Sequence, residues 1–548
     1  MKLANLVAQF IQSQGIRHVF GVSGGACLHL IHGITETTDV KFIPTTHEQN
    51  AAFAADGYAR VSGIGCALAT SGPGATNLIT GIATSYYDSV PVLYLTGNVA
   101  THRFGAPLGV RQYGFQETPI VEMVKPVTKY AVTVTEPSRI LLSLETAVYY
   151  AKEGRPGPVL VDIPDDLQRM DVNPEALRRF TPPRPPEYHF DIAPVLEALQ
   201  QAQRPIFVWG AGMRKYAKEA KRLADNLGIP VACTWGAIDL MDHDDPLMAG
   251  GFGTHGTRAA NLAVQNADFI ISIGTRLDTK ATGQLAHFGR SATVVMVDID
   301  GAELAKFNKL GRGIDIPIHA DAGQFIQALG AAQYNPRWTI WRALIQTWKD
   351  RYPPPDDGPS AGAYELIRNL DIPEDSIICS DTGFALGWMM QAFPFKGQRF
   401  LHAFNMTPMG YGLPAAVGAA LASTCPVTLV SGDGSFMMSL PELATVSRWK
   451  FPIRIILLNN KAHGMCMQTE RQWFGGRHSG TNIDGGLGFP DFQKVADAFG
   501  VTIDERHISS EAHMEPQARY GQPIEDADPL LPWDEFKSQM IVPPVERK

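Results

Sequence analysis

The sequence contains no pair of closely spaced cysteines. Its six cysteines are scattered, and no two lie closer than 39 residues: Cys27, Cys66, Cys233, Cys379, Cys425 and Cys466. This spacing excludes the paired arrangement that zinc sites and CxxC redox sites use. Because scattered free thiols are typical of proteins in a reducing compartment, we expect a cytoplasmic protein.

Basic tracts, low-complexity segments and long hydrophobic runs are also missing. The formal net charge is −8, which disfavours nucleic acid as a partner. No apolar run reaches the length of a transmembrane helix, and the N-terminal helical pattern carries Gln9, Gln12 and Gln14 where a signal peptide would be continuously apolar. We therefore expect neither a nucleic-acid partner nor a membrane partner.

The 548 residues alternate short apolar runs with helical patterns, which is typical of α/β domains with parallel sheets. Two proline-rich linkers, residues 181–186 and 351–359, divide the chain. The sequence thus predicts three doubly wound parallel-sheet domains, over residues 1–177, 190–332 and 360–548.

A βαβ unit in the last third organises the chain. Residues 427–430 and 453–458 read as buried strands, with a helical pattern over residues 439–448 between them. Asp433 and Asn460 each follow one of these strands, 27 residues apart. Because open α/β sheets bind ligands at the carboxyl ends of their strands, both side chains fall at a predicted ligand site.

The residue types at this site predict a diphosphate bound through a divalent cation. Gly432 and Gly434 allow a sharp turn that exposes N–H groups, and Ser435 opens the next segment, where a helix N-terminus favours phosphate. Asp433 and Asn460 offer the oxygen ligands that Mg²⁺ prefers. The Gly-Asp-Gly tripeptide alone is common, but its spacing from Asn460 is specific.

This run resembles the signature of the thiamine-diphosphate (ThDP)-dependent enzymes. The resemblance implies that Asp433, Asn460 and the backbone carbonyl of Ala462 bind Mg²⁺. It extends over nearly the whole chain and implies a pyrimidine-binding, a middle and a diphosphate-binding domain. It further implies active sites shared between two subunits, and hence a homodimer or homotetramer.

Glu48 begins a predicted helix, where a carboxylate can simply stabilise the helix N-terminus. However, Thr45-Thr46-His47-Glu48 and the following Ala54–Arg60 resemble the activating-glutamate segment of the same family. The resemblance implies that Glu48 bonds the aminopyrimidine of ThDP and promotes its imino tautomer. A catalytically dead regulatory subunit would be expected to lack Glu48 or Asp433, and both are present.

Residues 109–118 resemble the acetolactate-synthase branch of the family. The resemblance implies that Phe115 packs on the donor's methyl group and that Gln116 bonds the reacting oxygens. The implied activity is decarboxylating carboligation, in which an acetyl unit passes from pyruvate to a carbonyl acceptor. A simple 2-oxo acid decarboxylase is the alternative that Phe115 and Gln116 disfavour.

The sequence departs from that branch at three places. Asp165 replaces a lysine, Thr469 replaces a tryptophan, and Phe384-Ala385 replace Gln-His. The first two changes suggest an alternative acceptor substrate, a keto-sugar nucleotide as in branched-chain deoxysugar synthesis. The third implies that phosphate contacts at residues 383–385 come from the backbone alone.

Other cofactor contacts are implied by the same resemblance. Met409 wedges between the two rings of ThDP and bends it, which is an orientation effect. The carbonyl of Gly410 receives the exocyclic amine, and the loop over residues 71–77 lies beside the pyrimidine ring. The remaining expected contacts are Gly24, Pro73, Asn77, Gly383, Gly464 and Met465.

The middle domain carries half of a dinucleotide fingerprint, which alone is a weak signal. One interpretation is a structural domain without a ligand. The resemblance to acetolactate synthases, carried by the loop over residues 251–257, instead implies a structural, non-redox FAD. The expected flavin contacts are Gly210, Gly212, Gly253, Thr254, His255, Gly274, Arg276 and Asp298. The tail from Glu505 is expected to pack over the active site or to be partly disordered.

Overall fold

The computed structural model describes residues 1–332 and 338–547. In this part of the chain, three parallel sheets of six, six and five strands form three layered α/β units, and one small antiparallel ribbon follows them. The predicted fold class is therefore confirmed. None of the helices in the described ranges combines the length and apolarity that crossing a bilayer requires.

The N-terminal sheet has the strand order β2-β1-β3-β4-β6-β5. Its strands are β1 (His18–Gly21), β2 (Lys41–Pro44), β3 (Gly65–Ala69), β4 (Val92–Asn98), β5 (Tyr130–Thr133) and β6 (Val159–Pro164). The helices are α1 (Leu3–Ser13), α2 (Leu28–Thr37), α3 (Glu48–Ser62), α4 (Pro73–Asn77), α5 (Ile79–Tyr87), α6 (Ile120–Val124), α7 (Ile140–Lys152) and α8 (Asp165–Gln168).

The middle sheet has the order β12-β11-β10-β7-β8-β9. Its strands are β7 (Pro205–Trp209), β8 (Val231–Cys233), β9 (Met248–Gly251), β10 (Phe269–Ile273), β11 (Thr293–Asp298) and β12 (Ile316–His319). The helices are α9 (Ala193–Gln201), α10 (Ala217–Leu227), α11 (Arg258–Asn266), α12 (Thr279–Thr282), α13 (Gly301–Lys309), α14 (Ala322–Gly330) and α15 (Thr339–Arg351). Residues 178–192, before this domain, carry neither helix nor strand.

The C-terminal sheet has the order β14-β13-β15-β16-β17. Its strands are β13 (Ile377–Ser380), β14 (Arg399–Leu401), β15 (Val427–Gly432), β16 (Ile453–Asn459) and β17 (Ile503–His507), and β18 (Gln517–Ala518) pairs with β19 (Ala527–Asp528) in the ribbon. The helices are α16 (Ala361–Arg368), α17 (Phe384–Ala392), α18 (Gly412–Ala422), α19 (Asp433–Ser439), α20 (Leu443–Trp449), α21 (Gly464–Phe474), α22 (Phe492–Phe499) and α23 (Trp533–Gln539).

The register of β15 against β16 places the two predicted metal ligands side by side. These strands are parallel, and Gly432 pairs with Leu458. Both are mainly aliphatic and buried on both faces, as expected for the centre of a helix-covered parallel sheet. Asp433 and Asn460 therefore leave the sheet at the same edge.

The predicted helix over residues 439–448 is wrong in its start and its continuity. Helix α19 begins at Asp433, directly after the strand, and ends at Ser439. A short 3₁₀ turn containing Pro441 then separates it from α20. Since proline has no N–H to continue an α-helical ladder, one regular crossover helix is not possible here.

Helices α3 and α18 pack against each other and join the N-terminal domain to the C-terminal domain. A Cβ atom at Gly57 would overlap the carbonyl oxygen of Ala415, and one at Gly418 would overlap that of Ala54. Because the higher number on one helix meets the lower number on the other, the two helices run antiparallel. Glycine at these two positions is what allows the backbones to approach so closely.

The C-terminal tail packs on two domains: residues 510–517 contact α21, and residues from 524 onward pack on the middle domain. That the tail covers the active site stays a prediction. The Arg258 guanidinium donates to the carbonyl oxygen of Pro529 at 2.7 Å, and Asn261 donates to that of Ile524 at 2.9 Å. Asn266 donates to the carbonyl oxygen of Gln539 on α23 at 3.0 Å. Buried polar side chains of α11 thus satisfy the irregular backbone of the tail.

Candidate active site

Glu48 is a buried carboxylate that does not cap its helix. The N-cap of α3 is His47, whose Nδ1 accepts from the backbone N–H of Gln49 at 3.1 Å. The side chain of Glu48 is instead bonded by Asn77, whose Nδ2 donates to Oε2 at 2.9 Å. No salt-bridge partner of Glu48 occurs in the described ranges. A simple capping role for Glu48 is therefore excluded.

Glycine-rich turns surround this carboxylate. A Cβ atom at Gly74 would lie 3.1 Å from Glu48 Oε1, one at Gly24 would lie 2.5 Å from Thr70 Cβ, and one at Gly72 would lie 3.0 Å from Gln116 Cβ. The carboxyl edge of the N-terminal sheet thus gathers several predicted site residues. We call the following set the acid half-site: Gly24, Glu48, Pro73, Asn77 and Gln116.

One carboxylate, that of Glu117, holds together the loop that carries Phe115 and Gln116. Glu117 accepts from the backbone N–H of Gly105 at 2.6 Å, of Tyr113 at 2.9 Å and of Gly114 at 3.2 Å. Although burial acts to raise it, these N–H groups hold the pKa of Glu117 below its usual range. Gln116 adopts a φ of 63°, which is strained for a residue other than glycine, and Phe115 is 85% exposed.

Asp433 and Asn460 lie at the carboxyl edge of the C-terminal sheet. Asp433 accepts from the backbone N–H of Gly434 at 2.8 Å and of Lys461 at 2.6 Å, and Asn460 Oδ1 accepts from that of Ala462 at 3.2 Å. Burial raises the pKa of Asp433 to about 6. The described residues contain no group of three or more His, Cys, Asp or Glu that could hold a metal. A cation here would have one carboxylate, an amide oxygen and ligand oxygens.

Three helix N-termini converge at this edge. Helices α17, α19 and α21 begin at Phe384, Asp433 and Gly464. A Cβ at Gly464 would lie 3.0 Å from Asn460 Nδ2 and would also overlap the Phe384 ring. Because helix N-termini present free N–H groups and a positive dipole end, the edge suits a diphosphate.

The side chain of Phe384 contributes nothing polar to this edge. It is buried and packs on Trp388 with ring centroids 4.9 Å apart. Gly383 before it adopts a φ of 92°, which only glycine adopts easily, and so turns the chain into the helix. The arrangement supports backbone-only phosphate contacts at this turn.

Met409 and Gly410 reach the same edge. The Met409 methyl carbon lies 3.5 Å from a Cβ position built on Gly434, and one built on Gly410 would lie 2.7 Å from Met438 Cβ. Gly410 has a φ of 85°. We call the following set the diphosphate half-site: Gly383, Met409, Gly410, Gly432, Asp433, Gly434, Ser435, Asn460, Ala462, Gly464 and Met465.

The two half-sites lie at opposite ends of the α3–α18 pair. Glu48 begins α3, whereas Met409 and Gly410 directly precede the beginning of the antiparallel α18. With a rise of about 1.5 Å per residue, Glu48 and Met409 lie about 20 Å apart along the pair. One chain therefore does not bring the predicted acid to its own predicted cofactor turn.

A cavity of about 440 Å³ lies where the middle domain meets the other two. Its size falls in the range of small-molecule sites. Asp298 is in its wall, and burial raises the pKa of this carboxyl to about 6. The indole Nε1 of Trp235, also in the wall, has no hydrogen-bond partner in the described residues. Both groups are suited to bonding a ligand.

The expected flavin residues divide into two groups at this cavity. Four of them line it: Gly212, Gly274, Arg276 and Asp298. Gly210 packs behind the wall, where a Cβ would lie 2.6 Å from Thr275 Cα. Gly253, Thr254 and His255 do not line it, because the Thr254 N–H bonds the Lys280 carbonyl oxygen at 2.8 Å and so holds this loop behind Lys280.

Sequence reasoning missed Glu442. This buried carboxylate accepts from the backbone N–H of Thr46 at 3.1 Å and from Asn50 Nδ2 at 2.9 Å, which fixes the entry into α3 from the other domain. It also missed Asp56, a charged residue in a helix of small residues. A charged residue among the small residues of a predicted buried helix could have indicated that Asp56 has buried polar partners.

Comparison with known proteins agrees with this geometry. Three family profiles match, all described as thiamine pyrophosphate enzyme: the N-terminal TPP binding domain over residues 1–123, the central domain over residues 192–329, and the C-terminal TPP binding domain over residues 381–523. The chain belongs to the thiamine pyrophosphate (ThDP) enzymes.

Its relatives narrow the assignment. The chain is 33% identical to the acetolactate synthase large subunit of Porphyra purpurea, with 97% of this chain and 94% of the relative covered. It is 35% identical to an acetolactate synthase of Arthrospira platensis (90% and 87%) and 34% identical to the chloroplastic acetolactate synthase of Arabidopsis thaliana (86% and 72%). Within the family, the chain is an acetolactate-synthase-like carboligase, as the sequence predicted.

Proposed function

We propose that the protein is a ThDP- and Mg²⁺-dependent enzyme that decarboxylates pyruvate and transfers the acetyl unit to a carbonyl acceptor. The observation that carries the proposal is the buried Glu48 carboxylate, which neither caps its helix nor pairs with a cation in the described residues. A carboxyl group held by an amide donor at the entrance of a helix is placed to exchange a proton with a ring nitrogen of a bound ligand.

The diphosphate half-site fits the cofactor. Asp433 and Asn460 supply side-chain oxygens, and Ala462 a carbonyl oxygen, of the kind that Mg²⁺ takes together with phosphate oxygens. Asp433 is buried, and no cationic side chain of the described residues bonds it, which favours a metal ion there. Bound ThDP would supply a thiazolium ring that accepts the electron pair released by decarboxylation.

The chain's own residues would orient the cofactor and the substrate and would transfer protons to and from the cofactor. Glu48 would exchange a proton with the aminopyrimidine ring nitrogen, held in place by Asn77. Gly410 would accept from the exocyclic amine, and Met409 would hold the two rings bent. Gln116 would bond reacting oxygens, and Phe115 would exclude water from the donor's methyl group.

We further propose that each active site forms between two chains. The 20 Å separation along α3 and α18, estimated from the helical rise, supports this proposal, because a second copy can supply Glu48 to the Met409 turn. Phe115 is 85% exposed in the single chain, and a partner's diphosphate half-site would cover it. A homodimer is the smallest such assembly, and a homotetramer of two dimers contains the same sites.

The cavity of the middle domain is proposed to hold FAD in a structural role. The volume of about 440 Å³, the buried Asp298 and the Trp235 Nε1, which has no hydrogen-bond partner among the described residues, support a nucleotide ligand. No redox step is assigned to it. Flavin absorbance released on denaturing the purified protein would test this part alone.

A keto-sugar nucleotide is the second candidate acceptor. Asp165 accepts from Arg169 Nη2 at 2.9 Å and lies 3.8 Å from His29 Nε2, so this position presents a carboxylate instead of a free cation. Thr469 on α21 is small and exposed. Both observations favour an acceptor that is larger and less dependent on a cation than a 2-oxo acid.

The decisive experiment incubates the purified protein with pyruvate, ThDP and Mg²⁺, with and without candidate ketones. Acetolactate formed from pyruvate alone would support the first acceptor, and an acetyl-branched sugar would support the second. Acetaldehyde as the only product in every mixture would contradict carboligation and indicate a decarboxylase. The Glu48→Gln variant in parallel identifies background reaction.

A further inference from the structure

Tyr411, next to the Met409–Gly410 turn, bonds a residue of another domain. Its hydroxyl donates to Asp56 Oδ1 at 2.7 Å, although the two residues are 355 positions apart in the chain. Tyr411 and Asp56 are both fully buried. The turn proposed to bend the cofactor is therefore tied to the middle of α3.

Asp56 is held rigidly by other groups. Arg60, one helical turn further along α3, donates from Nε to Asp56 Oδ1 at 2.6 Å, and Ser85 Oγ donates to Oδ2 at 2.8 Å. The Arg60 guanidinium is itself fixed by two further hydrogen bonds. Its Nη2 donates to Asp88 at 2.7 Å, and its Nη1 donates to the His402 carbonyl oxygen at 3.0 Å. Because these hydrogen bonds fix the Asp56 carboxylate, it can in turn fix the Tyr411 hydroxyl that donates to it.

The turn over residues 407–411 lies outside regular secondary structure, so contacts with other segments hold it in place. Gly410 has a positive φ of 85° and Thr407 one of 47°, so the segment before α18 is not held by regular secondary structure. From its own domain, Asp381 faces the backbone N–H groups of Gly410, Tyr411 and Gly412. That contact fixes the backbone of the turn, whereas the hydroxyl of Tyr411 fixes its position against α3.

We propose that Asp56 and Arg60 are positioning residues for the cofactor turn, acting across the domain boundary through the Tyr411 hydroxyl. The inference rests on the proposed role of Met409 and Gly410 in holding ThDP. It assigns to the middle of α3 a task separate from that of Glu48 at its start. In a two-chain assembly, the start of a single α3 would then serve one active site and its middle would serve another.

The test compares two variants that each remove one buried hydroxyl from the same network. Tyr411→Phe deletes the bond to Asp56 beside the turn. Tyr94→Phe deletes a hydroxyl that lies 3.0 Å from Ser85 Oγ, one bond further from Asp56 and on β4 of the N-terminal sheet. The readouts are the dissociation constant of ThDP with saturating Mg²⁺, from titration calorimetry, and the thermal midpoint.

Tyr411→Phe is expected to weaken ThDP binding about fivefold, and Tyr94→Phe less than about twofold, with similar drops in thermal midpoint. Unchanged affinity in Tyr411→Phe, or equal losses in both variants, would show that the network is only structural. If the wild-type protein does not bind ThDP, the proposed cofactor site fails and this inference fails with it. Asp56→Asn should repeat the loss of affinity, and an Asp56→Asn protein with full affinity would also overturn the inference.

Discussion

Asn77 donates a hydrogen bond of 2.9 Å to Glu48, and His47 caps the helix that Glu48 begins. The Asn77 amide thus orients the Glu48 carboxylate, which does not cap the helix. This arrangement leaves the Glu48 carboxyl group available for the catalytic role that we propose for it.

Glu48→Gln is expected to lower carboligation by at least about 100-fold, since a carboxamide cannot exchange the proton that general acid–base catalysis needs. Gln keeps the size of the side chain and a hydrogen-bond acceptor for Asn77. The measurement is the turnover of pyruvate at saturating ThDP, together with the ThDP dissociation constant. Wild-type turnover in the variant would remove Glu48 from its assigned role.

Glu117→Gln is expected to lower carboligation by about 10- to 100-fold while leaving ThDP affinity unchanged, because a displacement near 1 Å of reacting groups costs this much. The amide has a single acceptor oxygen and places an NH₂ group against backbone N–H groups of the loop. The measurements are the rate of carboligation, the ratio of carboligation product to acetaldehyde and the ThDP dissociation constant.

Glu145→Gln provides the matched control for Glu117. Glu145 also accepts a backbone N–H, that of Phe180 at 2.8 Å, but it belongs to α7 and not to the loop of Phe115. It should leave the product ratio unchanged. Equal effects of the two substitutions would contradict a specific function of the Glu117 loop.

Much of the diphosphate half-site could be predicted from sequence, because its residues follow directly after strands that are adjacent in the chain and in the sheet. The register of β15 and β16 then brings Asp433 and Asn460 together. The predicted start of the helix at Ser439 was wrong, since glycine and serine around Asp433 favour a loop by composition, whereas α19 begins at Asp433 directly after the strand.

Contacts between distant segments could not be predicted in this way. The Asp56–Tyr411 bond and the Glu442–Asn50 bond join residues 355 and 392 positions apart, and no local pattern encodes either pairing. The contact of the tail with the middle domain could not be predicted for the same reason. The tail's proline-rich, aperiodic sequence shows only that it is irregular, whereas polar side chains of α11 determine where it lies.

Asp298→Asn is expected to stabilise the protein at neutral pH more than at acid pH. Burial raises the folded-state pKa of Asp298 to about 6, so its contribution to stability is fully present below pH 4 and is lost as the pH rises through about 6. The loss amounts to at most about 3 kcal/mol. Asparagine does not ionise and avoids this loss.

The check is the difference in thermal midpoint between Asp298→Asn and wild type at about pH 4.5 and pH 7, without added flavin. The difference should shift in favour of the variant at the higher pH. The same difference at both pH values would show that Asp298 does not carry this ionisation.

We propose that Glu48 of one chain serves the Asp433 site of another. Glu48→Gln and Asp433→Asn chains with different tags can be co-expressed, and the mixed dimers isolated through both tags. Such a dimer would contain one site with both defects and one intact site, so its activity should be about half that of wild type, although each parent is nearly inactive. Mixed dimers no more active than their parents would place both residues in the same chain's site and contradict the account.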